Sequence, residues 1–258
     1  MEDVLTEAAP PSRILLEDLN NFSPKPPTLP LPLLSLQNGY NNHSLTPNLL
    51  VIALSEPSIR IIHSINPKIL IGGLILPETS FAGNPLDPSM ADKSCYIYSM
   101  NKHPSTYLVS VQCDVNEERC NAVAKALIGN RIFPKKVLIL DSINSRIFRG
   151  KLPPDEAFAF KLETMAERME SDHLVSDVEY FACGSLVDGL AAALLVQCQM
   201  KKIRGTLLVS WPRWGSSSLS LIMSILLNKM PSDLRFLSHG DVVRELPKGY
   251  TIDSDLYT

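Results

Sequence analysis

Leu49-Leu50-Val51-Ile52-Ala53-Leu54 is a continuous apolar run, bounded by Pro47 on one side and by Ser55-Glu56-Pro57 on the other. A run this short, with no polar position to turn toward water, suits a strand buried on both faces, and such strands belong to sheets covered by helices on two sides. Outward from it, Ile69 to Leu76 (ILIGGLIL), closed by Pro77, reads as a second interior strand, in which Gly72 and Gly73 mark a bulge or a close backbone approach. Ile59, Ile61, Ile62 and Ile65 form a weaker run between the two. Ser94 to Met100 and Thr106 to Gln112 are β-prone runs separated by five residues ending in Pro104-Ser105, the pattern of a hairpin, so the sheet is expected to be mixed.

Downstream, helices and strands alternate. Asp114 with Glu117 resembles a capping box ahead of Cys120, Val123, Ala124 and Leu127, which share one helical face before Gly129. Val137 to Leu140 is a short buried strand leading into Asp141-Ser142. A helix is predicted after Pro153-Pro154, capped by Asp155, because Phe158, Leu162, Met165 and Met169 recur at intervals of four, three and four as a core-facing stripe. Val178 to Cys183 is strand-like. Leu186 to Met200 reads as a helix apolar enough to be nearly buried, with Lys201, Lys202 and Arg204 at the end that favours cations. Thr206 to Trp211 is a further strand, and Ser216 to Ser218 can cap a helix from Leu219 to about Met230. The expected fold is a layered α/β domain with a mixed, mainly parallel central sheet flanked by helices.

Three regions are predicted. Residues 1–47 form a proline-rich N-terminal arm, with five prolines between Pro24 and Pro32; residues 48–250 form the α/β domain; residues 251–258 form a flexible C-terminal tail. Charge is nearly balanced, 24 basic against 27 acidic side chains with pI about 6.0, which lacks the basic excess of counterion-driven nucleic-acid binding. Five unevenly spaced cysteines speak against a disulfide framework and for a reducing compartment. The acidic, proline-interrupted start (MEDVLTEAAPP) is unlike a secretory signal, and the most apolar window, Leu186 to Met200, is short for a bilayer, so no membrane insertion is expected.

Catalytic signatures are missing where this fold class would carry them. Ala182-Cys183-Gly184-Ser185-Leu186 lacks the flanking glycines of a nucleophile elbow, and Gly72-Gly73 supplies neither a dinucleotide nor a phosphate loop. The histidines at 43, 63, 103, 173 and 239 form no metal-binding spacing, and Cys113 and Cys120 are too far apart for a zinc knuckle. No catalytic residue, cofactor or metal is therefore predicted. The strand-end groups Asp141, Ser142, Arg146, Ser185 and Asp188 could hold an anion or a nucleoside, against their ordinary reading as caps. Trp211-Pro212-Arg213-Trp214 could stack a base, against a buried Trp211 with Trp214 covering an edge.

The sequence ends Leu256-Tyr257-Thr258: hydrophobic, tyrosine, any residue, carboxylate. This ending, the proline-rich arm, the LLVIAL strand, CDVNEERCNAVAKALI before the strand that leads into LDS, and the apolar region from Cys183 to Met200 resemble the proteasome assembly chaperone family from about Asn48 onward. The resemblance implies a non-enzymatic chaperone that pairs with a related second proteasome assembly chaperone and sits on the outer face of the proteasome α ring as it assembles. It also implies that Leu256, Tyr257 and Thr258 dock in a pocket between α subunits, and that the chain is cytoplasmic with access to the nucleus. The competing reading is an α/β enzyme acting on a nucleoside or another small metabolite; a third is a heteromeric scaffold unconnected with the proteasome.

Overall fold

The run at 49–54 lies at the middle of an eight-stranded sheet in the computed structural model, which describes residues 29–37, 40, 44–79, 88–101, 103, 105–153 and 156–237. The strands in chain order are β1 (Leu33–Leu36), β2 (Leu49–Ala53), β3 (Lys68–Ile75), β4 (Cys95–Met100), β5 (Thr106–Val111), β6 (Lys136–Ser142), β7 (Phe158–Glu163) and β8 (Arg204–Trp211). The helices are α1 (Glu56–Ser64), α2 (Glu117–Leu127), α3 (Met165–Arg168), α4 (Gly189–Met200) and α5 (Ser216–Asn228). Across the sheet the order is β1-β3-β4-β5-β2-β6-β8-β7. β2 pairs in parallel with β5 and β6, and β6 in parallel with β8. The hairpin and both edges are antiparallel, so β2, β3, β5, β6 and β8 run one way and β1, β4 and β7 the other. The sheet is mixed and mainly parallel, as its apolar runs predict.

Every residue of β2 is buried because each face of the strand meets a helical layer. Leu50 and Ile52 pack with Val123 and Leu127 of α2 and Leu194 of α4; Leu49, Val51 and Ala53 pack with Ile62 of α1 and Leu226 of α5. At about 2 kcal/mol for each fully buried Leu or Ile, this strand outweighs exposed ion pairs such as Arg60–Glu56, which contribute about 0–1 kcal/mol each.

The weaker run around Ile59 is helix α1 rather than a strand. Its start is tied by Ser58, whose Oγ accepts from the Ser55 N–H (3.2 Å) and donates to the Ser55 carbonyl (2.7 Å), while Pro57 occupies the first turn, where no N–H is needed. Asp114 does not cap α2: Asn116, with extended backbone, is the residue before its first turn.

The helix predicted over 158–169 is overturned. Residues 158–163 are β7, paired antiparallel with β8 from Phe158↔Trp211 to Glu163↔Thr206, and only α3 follows. Phe158 and Leu162 satisfy a period of four and a period of two alike; β8 offers an open edge, and its ladder selects the strand. Met165 and Met169, expected in the core, are exposed. The strand expected at Val178–Cys183 is a single bridge, Tyr180 to Lys161 of β7. Part of the segment read as an arm joins the sheet: β1 pairs with β3, and Leu34 and Leu36 face the core. Gly72 makes this possible, since a Cβ there would lie 2.2 Å from the Ser35 carbonyl oxygen and 2.9 Å from Leu36 Cα. α4 begins at Gly189 rather than Leu186 and is only half enclosed, with Val196 and Met200 exposed.

Candidate functional site

The docking residues predicted from the sequence, Leu256, Tyr257 and Thr258, lie outside the described residues, as do Asp155 and residues 1–28 of the arm. The strand-end groups do come together, at the C-terminal ends of β6 and β8. The Ser142 N–H donates to Asp141 Oδ1 (2.8 Å), the Ile143 N–H to the Ser210 carbonyl (2.8 Å), and Ser210 Oγ to the Asp141 carbonyl (3.3 Å). Beyond them, Asn144 Nδ2 donates to Asp188 Oδ2 (3.0 Å), the Arg149 N–H to Ser185 Oγ (2.7 Å), and the Leu186 N–H to the Ile147 carbonyl (3.1 Å).

These bonds brace the 142–149 loop against the 182–188 loop. Ser185 Oγ acts as an acceptor for backbone, and Asp188, although it precedes α4, spends its carboxylate on Asn144 instead of capping the helix. Burial pushes the Asp141 carboxyl up to about 6, against the opposing pull of the Ser142 N–H and the charge of Arg213. The backbone N–H of Arg146 bonds Asn144 Oδ1 (3.1 Å). Trp211 donates Nε1–H to the Pro153 carbonyl (3.0 Å), and the Arg213 guanidinium lies 5.3 Å from the exposed Trp214 ring. The arrangement therefore holds loops in place and presents an exposed Arg-on-Trp pair at the rim.

A second cluster, which the sequence reading missed, lies where β7, β8 and α3 meet. Lys161 and Glu163 turn inward from β7; Lys161 Nζ donates to the Val175 carbonyl (2.8 Å) and lies 2.8 Å from Glu163 Oε1. Tyr180 donates its hydroxyl to Glu163 Oε2 (2.5 Å), and His173 Nδ1 lies 3.5 Å from Glu163 Oε1. On α3, Glu167 accepts from the Leu174 N–H (2.5 Å) and from Arg204 Nε (2.7 Å). Burial raises the Glu163 carboxyl, but the Lys161 ammonium and the Tyr180 hydroxyl outweigh it and hold it below its usual range. Glu163, Glu167 and His173 are close enough to share an ion, yet the donor set does not fit one. Each carboxylate already carries a cation, and both oxygens of Glu167 are committed. The alternation in Phe158-Ala159-Phe160-Lys161-Leu162-Glu163 is the signal for this cluster, masked because a helical period also fits.

Cys95, Cys113, Cys120 and Cys198 are buried. Burial pushes the Cys113 thiol up to about 11 and the Cys198 thiol up to about 12, which makes them packing residues rather than nucleophiles. On the outer half of the sheet, β1, β3 and β4 leave a shallow depression of about 320 Å³ around Ser35, Leu70, Gly73 and Tyr96. No helix among the described residues is long and apolar enough to cross a membrane.

Solved structures share this fold. Pyrococcus furiosus PbaB, an archaeal proteasome activator, is 12% identical and superposes with a TM-score of 0.56 over 83% of this chain and 92% of its own. P. furiosus PbaA, an archaeal homolog of proteasome-assembly chaperone, is 14% identical with a TM-score of 0.52 over 84% of this chain and 90% of its own. A Thermoplasma acidophilum protein of unknown function is 14% identical with a TM-score of 0.50, covering 70% and 74% of the two chains. No family model and no curated protein matches the sequence. At these identities the likeness is one of fold.

Proposed function

We propose that this chain is a proteasome assembly chaperone. Paired with a related second proteasome assembly chaperone, it holds proteasome α subunits on pathway while the α ring forms, and Leu256, Tyr257 and Thr258 enter a pocket between neighbouring α subunits. The observation that carries the reading is the fold shared with PbaB and PbaA over 83% and 84% of this chain. The ending Leu256-Tyr257-Thr258 gives that fold a means of docking.

The physical chemistry of such a tail is simple. Leu256 supplies apolar area, Tyr257 a rigid ring and a hydroxyl, and the terminal carboxylate a charge-assisted bond to a pocket lysine. Two buried side chains of this kind contribute about 2–5 kcal/mol before ordering costs, so the tail alone binds weakly. A second tail from the paired chaperone, or a broad body contact, raises the affinity through effective concentration. The work is done where proteasomes assemble, in the cytoplasm with access to the nucleus.

Purification from source cells through an internal tag, which leaves the C-terminus free, tests the assignment. Proteasome α subunits and one related chaperone should co-purify. Recovery of an unrelated complex without α subunits would overturn it.

A further inference from the structure

Helix α4, Gly189-Leu190-Ala191-Ala192-Ala193-Leu194-Leu195-Val196-Gln197-Cys198-Gln199-Met200, is apolar around nearly its whole circumference, yet one side of it faces outward. A helix of that character is normally enclosed. Here Val196 is 53% and Met200 74% exposed, with Leu186 at 66% just ahead of the helix. The Met165 N–H donates to Gln199 Oε1 (2.8 Å), which sets the exposed Met165 beside the same end.

α2 lies alongside and runs in the same direction. Glu117 and Cys120 at its start line a depression together with Asp188 and Gly189, and at the far end Gln197 Nε2 donates to the Ile128 carbonyl (3.0 Å). Both acidic starts, Glu117, Glu118 and Asp188, therefore share one end of this face, and Lys125, Lys201 and Lys202 share the other. The depression, about 340 Å³, is at the acidic end, floored on α4 by Gly189, Ala192 and Ala193. The protruding Met200 is at the basic end. One end is hollow and negative; the other is raised and positive.

We propose that this face is an isologous interface on which a second copy of the chain docks with its α4 antiparallel, about a two-fold axis near the middle of the helix. Reversal about that axis sets the copy's Met200 over Gly189 and Ala192, its Val196 against Ala192 and Ala193, and its Lys201 beside Glu117 and Asp188. Each feature then meets its complement twice, as two-fold symmetry requires. Methionine suits the contact because its flexible thioether fits an irregular hollow. Helices of 11 and 12 residues are about 17 Å long and pack about 10 Å apart, a footprint of a few hundred Å² against about 800 Å² per partner in a standard interface. The dimer is therefore weak, reversible and sensitive to salt. It does not rest on the proteasome reading, since it needs neither a sister chaperone nor an α subunit.

Sedimentation equilibrium of the full-length purified chain, over a range of concentrations at low and high ionic strength, tests the interface. The expected result is a monomer–dimer equilibrium that tightens at low salt. Val196→Glu should raise the dissociation constant at least about tenfold, and so should Glu117→Lys or Lys201→Glu alone; the double variant E117K/K201E should recover most of the loss, because each reversed charge again faces its opposite. All four substituted chains should keep the cooperative thermal transition of the parent, since the altered side chains lie on the surface. A chain that stays monomeric at every concentration, or a dimer indifferent to Val196→Glu, or a charge swap that fails to restore association would overturn the proposal.

Discussion

Arg204 Nε on β8 lies 2.7 Å from Glu167 Oε2 on α3, a carboxylate with no exposed surface. Arg204 also reaches Asp172, with Nη1 3.0 Å from its carboxylate and Nη2 2.5 Å from its carbonyl oxygen, so one guanidinium ties α3 and the segment after it to the sheet. Removing one partner of a buried pair leaves the other charge uncompensated. Arg204→Ala should destabilise the chain by about 3 kcal/mol, read as a lower urea midpoint with unchanged slope. The double variant Arg204→Met/Glu167→Gln should recover much of that loss, because no charge is then stranded and the amide oxygen at 167 can still accept the Leu174 N–H.

Asp141 sets a pH dependence of the opposite sign to that of a salt-bridged acid. Burial raises its carboxyl from an ordinary 3.8 to about 6 in the folded chain, so folding favours the protonated form. Its contribution is fully present below pH about 4 and is lost as pH rises to about 6 and beyond. Asp141→Asn can still accept the Ser142 N–H. It should come within about 0.5 kcal/mol of the parent at pH 4 and exceed it by about 3 kcal/mol at pH 7, measured by chemical denaturation at the two pH values.

Gly72 admits β1 to the sheet. A methyl group at this position would collide with the Ser35 carbonyl and the Leu36 backbone, neither of which can move aside as a side-chain tip would. Gly72→Ala should cost about 1–3 kcal/mol and free the edge locally. Hydrogen exchange should show lost protection at residues 33–36, while β2 and β6 keep theirs. Uniform loss across the sheet would show β1 to be integral to the core.

In the proposed function the C-terminal tail is a docking anchor. Tyr257→Ala, deletion of Leu256 to Thr258, or an appended C-terminal tag should each weaken binding to α-ring intermediates, the first by about 2 kcal/mol if the ring is a buried anchor. Pairing with the sister chaperone and thermal stability should not change, and Thr258 should tolerate replacement while its carboxylate remains. Binding of the purified heterodimer, with the sister's own tail disabled, reads the effect; unchanged affinity would remove the tail from the mechanism.

The sequence by itself determined the architecture wherever burial is two-sided. Leu49 to Leu54 and Val137 to Leu140 have no polar residue to offer water, so a sheet covered on both sides was their only outcome, and the hairpin at 94–112 was legible from its turn. Where a stretch satisfied two periods at once, long-range pairing decided. Phe158 and Leu162 suit a helix or a strand, and the open edge of β8 chose the strand. Leu33 to Leu36 carries too little pattern to announce an edge strand, and it became one because Gly72 on β3 leaves room for its backbone.

The same division holds for the functional surfaces. The docking reading of Leu256-Tyr257-Thr258 rests on residue types alone, and these three lie outside the described residues. The Lys161–Glu163 and Glu167–Arg204 pairs, and the hollow and raised ends of the α2–α4 face, join residues distant in the chain. Composition marked α4 as apolar on nearly every side; only packing determined which side of it the sheet covers and which side is left facing outward, since helix periodicity hardly distinguishes the two when so few positions are polar.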